Sequence, residues 1–315
     1  MLTSRSAILR SLFIAVALLP SLLNAAPYPE VVAFGDSLTD MGNRTAESRK
    51  PDLKFRDTWV AQLAGPTMMG MAEFKPSGMS FFYGGTNYAV GGATTAYGAT
   101  SSSDRNRGQN LTQQVSKRYL NPAFNVAGVK KEALHVVVIG SNDLMRACID
   151  PLQIATQWTG LDSVGVAVAR STESQVEALA AAGVKNILWG NLFDASKAPS
   201  LVTKVTLIGG AQAPVVLGAV SRAIEAHNRE MDGAIARLQS AHPGLKITKL
   251  DLYGKFVEVS ADPAKFGFVD VTTGANDSKH LFSADGLHPT AQGHKMLAEY
   301  AFRVVKESLG GLVTN

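Results

Sequence analysis

Short apolar runs of β-branched character recur along the chain and alternate with longer stretches of helical period. Val31-Val-Ala-Phe34, closed by Gly35, has the length and unbroken hydrophobicity of a buried strand. Asn87-Tyr-Ala-Val90, Leu134-His-Val-Val-Val-Ile139, Asn186-Ile-Leu-Trp189 and Lys246-Ile-Thr-Lys-Leu250 repeat the pattern. Helical patterns lie between them: from Asn110 towards Leu120, a long one ending at Ala182 with Gly183 as its stop, one from about Gly218 to Leu238, and one from Pro289 to Leu309. Pro289 suits a first helical turn and Gly310 a helix end. Strands hydrophobic on both faces with helices between them predict a mainly parallel sheet covered on both sides, an α/β fold. Five strands make it a three-layer α/β/α sandwich. Residues 98–109, rich in Ser and Gly, and residues 195–214 fit neither period and read as loops on one domain.

The N-terminus follows a different pattern. Residues 1–26 carry Arg5 and Arg10, an apolar stretch from Ser11 to Leu23, and the small pair Ala25-Ala26, followed by Pro27. That layout reads as a cleavable secretory signal, too short in its apolar part to span a bilayer, with an uncleaved anchor as the rival. Residues 27–315 then form a single domain, secreted to the periplasm or the exterior, with no integral membrane segment after cleavage.

Composition narrows the classes further. The chain has 315 residues, 46% hydrophobic and 18% charged, which excludes a disordered chain. Its formal charge of +4 falls to +2 without the two leader arginines, and no basic cluster exceeds a pair. A nucleic-acid partner is therefore not expected; the composition leaves a small-molecule or lipid ester, and leaves the oligomeric state open. One cysteine, Cys148, excludes an internal disulfide and a cysteine-based metal centre.

Open parallel sheets bind ligands at the carboxyl ends of their strands. Gly35-Asp-Ser-Leu-Thr-Asp40 follows the first strand, Gly91-Gly-Ala-Thr-Thr95 the second, and Gly140-Ser-Asn-Asp-Leu144 the third, while Asp285-Gly-Leu-His-Pro-Thr290 precedes the last helix. Each piece alone is an ordinary turn or cap. Together they supply an acyl-transfer site. Ser37 is a nucleophile that needs a base, and Asp285 and His288 can supply orienter and base on one turn. The backbone N–H groups of Ser37 and Gly92 with the Asn142 amide would make a three-donor oxyanion hole.

The four blocks resemble those of the GDSL lipases and esterases, the SGNH hydrolase superfamily, in its secreted bacterial branch: Val31–Asn43, Asn87–Ala93, Ile139–Leu144 and Asp285–Thr290. His227-Asn228, Asp251-Leu-Tyr253 and Phe266-Gly-Phe268 add to the likeness, which spans about residues 30–305. The resemblance implies a flavodoxin-like sandwich and cofactor-free, metal-independent hydrolysis of carboxylic esters through an acyl-enzyme. Its catalytic residues fall on Ser37, Asp285 and His288, its oxyanion hole on Ser37, Gly92 and Asn142. Met41 departs from the small residue expected in the first block and is placed at the entrance or packed nearby.

Other readings remain in view. An acyltransferase of the same family would share the site. A silent flavodoxin-like binding protein would share the fold, but no Gly-x-Gly-x-x-Gly or P-loop is present. His280, Asp285, His288 and His294 cluster in sequence, but their spacing matches no zinc signature. The shape of the acyl pocket is assigned to residues 98–109 and 195–214.

Overall fold

The computed structural model describes residues 28–43, 57–77, 84–96, 110–150 and 156–309. The expected signal segment 1–26, the stretch 98–109 and the stop at Gly310 lie outside the described residues. Four five-residue strands, β1 (Val31–Gly35), β2 (Leu134–Val138), β3 (Asn186–Gly190) and β4 (Lys246–Leu250), pair in chain order and all in parallel. Val31 lies opposite Leu134, Leu134 opposite Asn186 and Asn186 opposite Lys246. The strands thus begin level and end level, and the segments after them emerge along one edge.

Every residue of β1 and β2 is buried, as strands covered on both faces require. Alternate side chains divide between two cores. Val32, Phe34, Val137, Ile187 and Trp189 pack beneath α3 (Leu161–Ala181), α5 (Ala213–Ala241) and a π-type helix, Gln113–Tyr119. Val31, Ala33, Leu134, Val136 and Leu188 pack beneath α1 (Trp59–Ala64) and α7 (Ala291–Ser308). The result is the three-layer α/β/α arrangement. Helix α3 ends as its sequence suggests: Gly183 N–H donates to Ala180 and Val184 N–H to Leu179, closing the last turn.

A third apolar core extends beyond the carboxyl edge of the sheet. It joins α2 (Ser141–Ala147), α4 (Pro199–Gly209), α6 (Leu252–Ala261) and the first halves of α3 and α5, through Leu144, Val164, Leu201, Val220 and Val259. A two-stranded ribbon, β5 (Asp270–Gly274) and β6 (His280–Phe282), leads from it into α7, which Thr290 caps by accepting from Gly293 N–H.

The structure corrects the sequence reading at three places. The expected fifth strand, Asn87–Val90, is reduced to isolated parallel bridges from Asn87 to Ala33 and to Pro76, continued by hydrogen bonds from Tyr88 N–H to Ala33 and from Val90 N–H to Gly35. The next ladder donor of β1, Gly35 N–H, goes to the Gln114 side chain instead, and the carbonyls of Asn87 and Ala89 are met by the Asn43 side chain at 2.7 and 2.9 Å. Residues 195–214 are not a loop: they form a short turn, α4 and the start of α5. Pro199 and Pro214 occupy first helical turns where their missing N–H is not needed. Pro289 instead lies before the cap of α7, bridging to Phe282.

Where β1 stops, its last backbone groups need partners. The buried Gln114 side chain accepts from Gly35 N–H and donates to Gly35 C=O, both at 2.8 Å, standing in for a neighbouring strand. A Cβ at Gly35 would lie 2.3 Å from the Val138 carbonyl, so no larger residue fits there. Replacing Gln114 by Leu strands the buried Gly35 N–H; urea unfolding is expected to show a loss of about 1–3 kcal/mol. An unchanged midpoint would contradict this role.

Candidate active site

Directly after β1 the chain turns through Asp36–Asp40, with Thr39 and Asp40 N–H both donating to the Asp36 carbonyl. The turn lifts Ser37 out of the sheet edge. The Ser37 hydroxyl meets His288 Nε2 at 2.6 Å, and His288 Nδ1 meets Asp285 Oδ2 at 2.5 Å. With the Nδ1 proton donated to Asp285, Nε2 is the acceptor for the Ser37 O–H.

Asp285 and His288 are held by a turn of their own. Asp285 Oδ1 accepts from Ser283 Oγ and from the N–H groups of Leu287 and His288, at 3.0, 2.9 and 2.9 Å. Burial pushes this carboxyl up, but the hydrogen bond and charge of His288 and the two N–H donors outweigh it, holding Asp285 well below the usual carboxylate range. His288 is 20% exposed and Asp285 42%, so the pair lies at the mouth of the site.

The second and third blocks interlock beside this turn. Gly91 N–H donates to Asp40 Oδ2 at 2.8 Å, Asn142 Nδ2 to the Ala93 carbonyl at 3.0 Å, and Arg146 to the Gly92 carbonyl at 2.9 Å. Asn142 Nδ2 also lies 3.4 Å from Asp36 Oδ2. Gly92 has φ +78°, a left-handed conformation that suits glycine. Among the described residues, the backbone N–H groups of Ser37 and Gly92 have no protein acceptor. Met41 is buried with Tyr28 and Trp59 in the core under α1, and does not line the cavity.

Ser37, Asn142 and His288 border a cavity of about 90 Å³. Its wall is the third core: Met145, Leu192, Phe256, Phe282 and Met296 line it, together with the buried Lys255. Lys255 bonds Glu258, and its ammonium sits 4.6 Å from the Tyr300 ring centre and 5.0 Å from that of Phe266.

Sequence reasoning overlooked the residues that hold these turns. Asp40 accepts from Gly42 and Asn43 N–H as well as Gly91; Asn87 Nδ2 donates to the Thr39 carbonyl at 2.9 Å. Asn228 clamps the cavity wall, accepting from Leu192 N–H and donating to Leu192 C=O. Polar residues inside otherwise apolar or Gly-rich blocks were the available signal. Of the histidines weighed as metal ligands, only His288 meets Asp285; His280 bonds Asp277, and His294, wholly buried, accepts from Trp59 N–H. His227 and His135 are buried, and desolvation pushes each down to about 4. Cys148 is buried in the third core, its thiol pushed up to about 11 by desolvation.

Asp143 behaves unlike Asp285. It accepts from the Thr95 N–H and hydroxyl, tying the second block to α2, yet burial pushes its carboxyl up to about 7 against those bonds and the Arg146 charge. A raised carboxyl stabilises the fold only where it is protonated, so this contribution is complete below about 4, the unfolded value, and is lost as pH rises through about 7. In Asp143→Asn that dependence should vanish: urea midpoints at about pH 5 and pH 8 should draw together relative to the parent protein. Parallel shifts in both proteins would refute it.

Comparisons with known proteins give the chain's family. A family model described as GDSL-like Lipase/Acylhydrolase matches residues 31–301. The chain is 23% identical to Lipase 1 of Photorhabdus luminescens, an alignment covering 90% of this chain and 51% of that protein, so it spans about half of that relative's length. It is 22% identical to GDSL esterase/lipase At5g03810 of Arabidopsis thaliana, over 86% of this chain and 89% of the other. It is 21% identical to GDSL esterase/lipase At2g30220 of the same plant, over 90% and 91%. With a family match that runs from β1 into α7 and takes in all four blocks, the chain belongs to the GDSL-like lipase/acylhydrolase family.

Proposed function

We propose that the protein is a serine esterase or lipase that hydrolyses carboxylic esters through an acyl-enzyme on Ser37. The observation that carries this reading is the Ser37–His288–Asp285 chain of contacts, 2.6 and 2.5 Å long, at the mouth of an apolar cavity. His288 Nε2 takes the Ser37 proton as Oγ attacks the ester carbonyl. The carbonyl oxygen gains the negative charge and is met by Ser37 N–H, Gly92 N–H and the Asn142 amide, whose longer contact to Asp36 is the one given up. Collapse breaks the bond to the alcohol, which leaves with the proton from His288. Water then loses a proton to His288, attacks the acyl group and restores Ser37. Asp285 stays ionised throughout and stabilises the imidazolium. The apolar cavity wall suits the acyl chain.

The proposal includes export of the chain, with residues 1–26 as a removable signal. Mature protein recovered outside the cytoplasm should then begin near residue 27 on N-terminal sequencing; recovery with Met1 intact would overturn this part.

Fluorophosphonate labelling and turnover of short p-nitrophenyl esters test the chemistry. Ser37→Ala should abolish labelling and turnover, while Asp285→Asn should lower kcat by about 10²–10⁴-fold with KM little changed. No labelling of the parent protein, or full activity of Ser37→Ala, would sink the reading.

A further inference from the structure

The corner where α4 meets α5 exposes large apolar side chains beside the site. Leu207 is 85% exposed, Ile208 66% and Val215 50%. No charged residue lies between Lys204 and Arg222. Within Pro199–Ala241, one stretch is apolar enough by composition to cross a membrane, yet only 33% of it is buried. A core helix would have that composition covered; here most of it is not buried.

Two further observations say what the corner meets. The first is charge. From Ala195 to Ile224 the only charged residues are Lys197, Lys204 and Arg222, all exposed, and no acid interrupts them. An apolar tip whose own stretch of chain carries only cations complements an anionic lipid surface. The second is position. Ser200 N–H, in the first turn of α4, donates to the Gly286 carbonyl at 2.9 Å, between Asp285 and His288. The chain entering α4 is the cavity wall itself, Leu192 to Ala195. An eleven-residue helix is about 16 Å long, so the tip stands one short helix from the catalytic turn. Of the other exposed apolar side chains, Phe124 and Val126 precede β2 at the opposite edge of the sheet, while Ile149, Val257, Val269 and Leu309 stand apart from one another in the chain.

We infer that the α4–α5 corner docks on an anionic lipid–water interface, seating Leu207, Ile208 and Val215 among acyl chains with Lys197, Lys204 and Arg222 at headgroup level. This rests on the esterase reading for its purpose: docking brings the cavity mouth to esters held in a lipid surface.

Co-sedimentation of the mature chain, without residues 1–26, with phosphatidylglycerol and phosphatidylcholine vesicles tests the surface, and p-nitrophenyl butyrate turnover tests the chemistry separately. The parent protein should bind phosphatidylglycerol vesicles about tenfold more strongly than phosphatidylcholine, and less so at high salt. Leu207→Ser with Ile208→Ser should weaken binding to both by about tenfold or more, and Lys204→Glu should erase the preference for the anionic lipid. Butyrate turnover should be unchanged in all of them: of residues 195–214, to which the sequence assigned part of the acyl pocket, only Ala195 lines the cavity. Equal sedimentation of parent and double variant overturns the inference. So does a double variant that light scattering shows converted from dimer to monomer with vesicle binding intact, because the corner then meets a second copy. A parent that binds vesicles but hydrolyses no ester keeps the surface and loses the chemistry; one that hydrolyses butyrate but binds no vesicle does the reverse.

Discussion

A parallel sheet has to stop somewhere, and the backbone groups left at its carboxyl edge must be satisfied without another strand. That constraint organises this site. Gln114 completes Gly35, Asn43 completes Asn87 and Ala89, Asn87 completes Thr39, and Asp40 gathers the N–H groups of Gly42, Asn43 and Gly91. Side-chain amides and carboxylates thus replace ladder hydrogen bonds around the very turn that presents Ser37. The polar residues of the first two blocks are in this sense structural, and the chemistry depends on their being so.

Two carboxylates near that edge show how environment divides similar groups. Asp285 is half open to solvent and surrounded by four donors, and it stays ionised. Asp143 is sealed from water, its donors are Thr95 and its own N–H, and its charged form is disfavoured. The first can steady a cation on its imidazole partner; the second locks two loops together. Accessibility and donor count separate the roles, since both are aspartates within turns.

Much of this was legible in the residues. Buried strands announce themselves by unbroken apolar runs, and Ser37, Asp285 and His288 fall at strand ends or ahead of a helix where chemistry belongs. Asn87–Val90 misled because its apolar content is that of a strand while Gly35 N–H, which would continue its pairing with β1, goes to Gln114, a partner 79 positions away. Residues 195–214 misled because Gly209-Gly210 and two prolines look like breakers; Pro199 at the start and Gly210 after the end are the asymmetry of an ordinary helix. Gln114 gave no sign at all. A glutamine on an amphipathic stretch is usually a surface residue, and only the fold reveals that it faces Gly35.

His288 and Asp285 sit three residues apart on one turn, whereas Ser37 is 251 positions away. Half of the proposed catalytic geometry is therefore settled locally, by an aspartate closing its own turn. The other half is a single gap of 2.6 Å that spans the stacking of the sheet, the third core and the seat of α7. That gap works as a gauge of long-range order: a slackening of packing far from any substrate widens it first, and turnover would register the change before the fold itself gave way.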